Sequence, residues 1–90
     1  MTKQEFVDAV ADKAGLSKRD AGAAVDAALD VIQGTLQNGD QVAFTGFGKF
    51  HVTRRAARQG VNPRTGEPVQ IQAANVPKFS AGSQLKKAVN

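Results

Sequence analysis

Apolar residues recur at helical spacing through the first 37 positions. Phe6, Val7, Val10 and Ala14 keep to one face. Thr2 with Glu5 three residues on reads as a capping box, and Gly15 as a left-handed stop. A first helix is expected over about residues 3–14. Ser17 then caps a second helix over about 18–37. Its apolar stripe of Ala21, Ala24, Val25, Ala28, Leu29, Ile32 and Leu36 is too wide for the first helix to cover, and Asn38-Gly39 ends it. Two helices joined at Gly15-Leu16-Ser17 invite a helix-turn-helix reading. Acids along the second helix's exposed side, and few groups able to read base edges, favour packing instead.

From residue 41 the period shortens to two. Gln41–Phe44 reads as a short strand, and Thr45-Gly46 as a turn. Phe47, Phe50 and Val52 follow as strand-type residues, with a bulge or bend near Gly46 and Gly48 where alternation breaks. Arg54, Arg55 and Arg58 then come with only Ala56 and Ala57 as apolar cover. Asn62-Pro63-Arg64-Thr65-Gly66 is a turn, after which Val69, Ile71 and Ala73 alternate again. The segment at about 53–75 therefore reads as a hairpin arm, with arginine on its outer half and Pro63 at its tip. Val76-Pro77 is expected to end it. Phe79 is expected to return to the core, and Ser80 or Ser83 to cap a last short helix holding Leu85 and Val89, with Lys86 and Lys87 exposed.

Charge sharpens this picture. The net charge is +4, but residues 1–40 hold four cations and seven anions, whereas 41–90 hold eight cations and one anion, Glu67. Such segregation implies one electropositive surface suited to a polyanion. The chain has no cysteine and one histidine, so thiolate and multi-histidine metal sites are excluded. No nucleophile–base constellation accompanies His51, which reads as a solvent-side strand residue. The expectation is a protein that is not an enzyme and needs no cofactor. No apolar run approaches membrane-spanning length, and the N-terminus lacks a signal-peptide pattern. The expected address is the cytoplasm.

Ninety residues make at most one domain with a thin core. The stripe of the second helix (Leu29, Ile32, Leu36) and the cluster Phe44, Phe47, Phe50 and Phe79 ask for more cover than one copy supplies. A homodimer with a shared core is the natural remedy, and it would present two arms.

The spacing Gly46-Phe47-x-x-Phe50, then Arg55, Arg58, Gly60 and Asn62-Pro63-x-Thr65, resembles the arm motif of the bacterial histone-like HU proteins, within the HU and integration host factor family. The opening helices, Asn38-Gly39-Asp40, Ala74-Asn-Val-Pro-Lys-Phe79 and Leu85-Lys86 are similar too. The resemblance implies an α+β fold: an intertwined homodimer with a helical base, a short antiparallel sheet and two protruding β-ribbon arms. It spans 1–90 as a single DNA-binding domain. HU and integration host factor are themselves type examples of minor-groove architectural proteins, so that mode is implied by the likeness. It makes Pro63 a wedge that kinks the duplex, and places Arg54, Arg55, Arg58, Asn62, Arg64, Thr65, Lys78 and Lys86 at the DNA. Val61 stands where many relatives have a cation, and Ser83 where many have lysine, leaving Lys86 as the better phosphate contact there.

The implied function is an architectural nucleoid protein that bends double-stranded DNA with little sequence preference and compacts the chromosome. Bent, nicked or gapped DNA would be preferred, because part of the unstacking cost is already met. An alternative is a sequence-specific bending regulator in the style of integration host factor, paired with a related subunit. Charge alone would also suit RNA or an anionic membrane, although no membrane partner is expected.

Overall fold

The computed structural model describes residues 1–90. In chain order the elements are α1 (Lys3–Ala14), α2 (Lys18–Gln37), β1 (Val42–Phe44), β2 (Gly48–Arg55), β3 (Arg58–Val61), β4 (Pro68–Ile71), β5 (Ala74–Ala81) and α3 (Ser83–Val89). The architecture is α+β, as the residue pattern predicts. The chain forms two compact units, Met1–Thr35 and Leu36–Asn90.

In the first unit both helices start where short polar side chains can cap them. The Glu5 amide donates to Thr2 Oγ1 at 3.2 Å, and the Asp20 amide to Ser17 Oγ at 3.0 Å. Each such cap stabilises a helix by about 1 kcal/mol. The Glu5 carboxylate reaches back to the Thr2 hydroxyl, at 3.3 Å. Gly15 ends α1 at φ 70°, a conformation that glycine adopts without a Cβ penalty. The two helices share a small core of Val7, Ala11, Ala21 and Val25, against which Val10 packs. Lys3 Nζ also lies 2.6 Å from Asp26 Oδ1, and hydrogen bonding to that carboxylate raises the ammonium pKa. Both side chains are well exposed, so the pair adds little stability. Only Ala21 and Val25 of the α2 stripe are buried; Leu29 is 50% exposed.

In the second unit β1, β2 and β5 make an antiparallel sheet in the order β1-β2-β5, while β3 and β4 pair only with each other. Pairing of Phe50 with both Val42 and Phe79 fixes the register. Strand alternation then divides the sheet. Val42, Phe44, Phe50, Val52, Pro77, Phe79 and Ala81 share one face; Lys49, His51, Thr53, Arg55, Val76, Lys78 and Ser80 share the other.

Three expectations are corrected here. Phe47 is not in a strand: its amide donates to the Phe44 carbonyl at 2.9 Å, placing it in the β1–β2 turn. Of the bulge or bend expected there, the structure has the bend: the broken alternation between Phe47 and Phe50 marks the turn and the start of β2. Pro77 does not end the ribbon either. It stands within β5, opposite Val52. β5 is an edge strand, where a residue lacking its N–H is tolerated. Finally, neither Ser80 nor Ser83 caps α3. Its N-cap is Gly82, with no side-chain bond. The Gly46 carbonyl instead accepts from the amides of Gln84 (3.1 Å) and Leu85 (3.2 Å), and the Gly82 amide donates to the Phe47 carbonyl at 2.7 Å. The turn itself satisfies the donors at the start of α3.

Candidate nucleic-acid interface

The ribbon of residues 53–75 is not one continuous ladder. β2 stops at Arg55 and β3 starts at Arg58; on the return strand β4 stops at Ile71 and β5 starts at Ala74. The interruption falls on Ala56-Ala57 and Gln72-Ala73, where alanine gives weak strand preference. Arg55 spans it: its Nη2 donates to the Gln72 carbonyl, a long bond of 3.4 Å to a group outside the ladder. Arg54 points to the opposite face, where its Nη1 donates to Asn75 Oδ1 at 3.2 Å across the strand pair. Adjacent arginines thus sit on different faces of the ribbon root, each held by one neutral acceptor and by no carboxylate.

Beyond the break, Arg58 pairs with Ile71 and Gly60 with Val69. A Cβ at Gly60 would come within 2.9 Å of the Ile71 side chain, so glycine leaves the room that Ile71 fills. The tip is closed by its own polar groups. The Asn62 amide donates to the Glu67 carbonyl at 2.9 Å, and the Asn62 carbonyl accepts from Gly66 at 2.8 Å. Asn62 Oδ1 accepts from the Arg64 amide at 2.9 Å, and Thr65 Oγ1 accepts from the Glu67 amide at 3.3 Å. Gly66, at φ 73°, supplies the left-handed residue the turn needs. Asn62 and Thr65, predicted to lie at the ligand, are therefore engaged in shaping the tip. The turn leaves Pro63 and Arg64 exposed.

The sheet adds cations that the arm motif does not include. Lys78 stands opposite His51, Lys49 is the neighbour of His51 on the same face, and Arg55 lies further along that face beyond Thr53. Lys49 was not among the predicted contacts. The signal was present, because Phe50 and Val52 on one face put Lys49 and His51 on the other. Lys86 is exposed on α3, beside Lys87. Lys49, Arg55 and Lys78 thus share one positively charged sheet face. It has no group of three or more metal-ligating side chains, and no helix is long and apolar enough to cross a membrane. Cations spread along a ribbon and a sheet face suit a long anionic backbone better than a small anion.

Comparison with known proteins points the same way. The model of a family described as bacterial DNA-binding protein matches residues 1–90. The chain is 60% identical over 90 residues to "DNA-binding protein HRm" of Rhizobium meliloti, covering 100% of both sequences. It is 53% identical over 89 residues to "DNA-binding protein HU" of Geobacillus stearothermophilus, covering 99% of each. Among solved structures, a chain of the Anabaena HU–DNA cocrystal is similar with a TM-score of 0.92 and 46% identity, over 99% of this chain and 97% of that one. HU from Thermotoga maritima follows with a TM-score of 0.73 and 33% identity over 100% of both.

Proposed function

The chain belongs to the bacterial DNA-binding protein family, the HU family of non-enzymatic architectural proteins, and on that footing we propose that it binds double-stranded DNA through the minor groove and bends it with little sequence preference. The observation that carries this reading is the ribbon itself: a two-stranded extension whose tip leaves Pro63 and Arg64 exposed and whose length carries Arg54, Arg55 and Arg58, none of these arginines with a carboxylate partner. A bare ribbon of this kind is marginal alone in water and gains from a surface to lie on.

The mechanism follows from the residue chemistry. Each cation that neutralises a phosphate releases a condensed counterion, so affinity falls steeply with salt. Arginine suits the narrow groove, where negative potential is concentrated. The minor groove distinguishes bases poorly, which accounts for weak sequence preference. Pro63 offers a rigid apolar ring without a donor, and Asn62 and Thr65 hold it in place. Inserting it between base pairs costs on the order of a few kcal/mol of stacking, offset by contacts that the bent duplex makes with Lys49, Lys78 and Lys86.

A homodimer supplies the second arm. Phe44, Phe47 and Phe79 are 49%, 51% and 42% exposed in a single chain, and Leu29 is 50% exposed. These, with Phe50, Ile32 and Leu36, are the residues that a second copy covers. A related subunit with the same faces would also fit. The working location is the nucleoid.

A gel-shift titration with intact and gapped duplexes, each competed with random-sequence DNA, tests the reading. Tighter binding to gapped duplex and full competition are expected. Equal affinity for the two duplexes, or a large residual preference for one sequence, would contradict it.

A further inference from the structure

His51 is the only histidine in the chain, and it stands in the middle of the cationic sheet face. It is half-buried, and its Nε2 lies 2.9 Å from Ser80 Oγ. That bond runs diagonally across the ladder, because the residue directly opposite His51 is Lys78. It fixes the ring and leaves Nδ1 as the nitrogen Ser80 does not engage. The residues sharing this face are Lys49 and Arg55 on β2, Lys78 on β5, and the neutral Ala43, Thr53, Ala74, Val76 and Ser80. No carboxylate is among them.

With the face empty, a proton on His51 adds positive charge among three fixed cations. With a phosphate backbone on the face, the same proton meets opposite charge and offers an additional N–H donor. Imidazole as a class changes charge between about pH 5 and 8, whereas lysine and arginine do not. We propose that His51 is a proton-dependent phosphate contact, so that duplex binding to the sheet face is linked to proton uptake. Linkage is reciprocal: acidification tightens binding, and binding draws a proton onto the ring. This rests on the DNA-binding reading above and extends it to a residue outside the arm motif.

The test is fluorescence anisotropy with a labelled gapped duplex at pH 5.5, 6.5 and 8.0 and constant ionic strength, comparing wild type, H51Q and H51K. Wild type is expected to bind more tightly at pH 5.5 than at 8.0 by about two- to fivefold per protomer, the range of an exposed ion pair. Its log–log salt slope should be steeper at the lower pH by about 0.9 per protomer. H51Q should be flat at the weaker level and H51K flat at the stronger one. Should H51Q fail to fold by circular dichroism, wild type against H51K decides. Equal pH dependence in wild type and either variant, with binding intact, overturns the role of His51 alone. No binding by any of the three at any pH overturns the DNA-binding reading with it.

Discussion

The ring of Phe50 lies 4.8 Å from that of Phe79 across the β2–β5 pair, yet Phe79 remains 42% exposed. The ring of Phe47 meets that of Phe79 edge-on at 5.8 Å and is itself half exposed. This aromatic cluster, ordered by its own contacts but open to water, is the surface that the proposed second copy would cover. Phe79→Ala is therefore expected to weaken self-association as well as the fold. Truncating a phenylalanine costs about 3–5 kcal/mol where it is fully buried. In sedimentation equilibrium the variant should shift toward monomer, and its melting temperature at a given concentration should fall. An unchanged association state would argue that the cluster is simply an exposed patch.

Gly82 is expected to be nearly intolerant of side chains. A Cβ there would lie 2.5 Å from the Gly46 carbonyl oxygen, the acceptor for the first amides of α3. The clash is with backbone, so no rotamer relieves it. Gly82→Ala should cost about 1–3 kcal/mol in chemical denaturation, the range for overpacked sites. Gly34→Ala, where nothing lies within 4 Å, should be neutral or slightly stabilising.

Asn62 should act through the tip, not through its own contact. Its Oδ1 holds the Arg64 amide at 2.9 Å. Asn62→Ala removes that bond and should raise the hydrogen-exchange rate of the Arg64 amide in the free protein. Bending of DNA should decline with it, although the Asn62 side chain is already occupied within the turn. Asn62→Asp, which keeps the acceptor, should preserve the tip.

Arg58→Ala should lower affinity for all sequences about equally and flatten the salt slope by about 0.9 per protomer, the signature of a lost phosphate contact. A change confined to one sequence would instead mark Arg58 as a base reader.

Much of this was legible from spacing. The helix starts at Thr2 and Ser17, the stop at Gly15 and the turn at Asn62–Gly66 follow from local chemistry, and local chemistry is what a sequence displays. What was not legible depends on contacts distant in sequence. The cap of α3 comes from Gly46, more than thirty residues upstream, so the nearby serines misdirected the expectation. Pro77 reads as a terminator unless β5 is known to be an edge strand. The hydrogen bonds by which Asn62 and Thr65 close the tip around Pro63 depend on a turn geometry that spacing alone does not give. The place of Lys49 on the His51 face follows from alternation alone.

The most direct measurement is the end-to-end distance of a short duplex labelled at both ends, followed by energy transfer during titration with wild type and Pro63→Ala. Wild type should shorten that distance at saturation, and Pro63→Ala should saturate at similar concentrations while leaving the duplex markedly straighter. A saturated wild-type complex whose duplex keeps its free length would contradict the account.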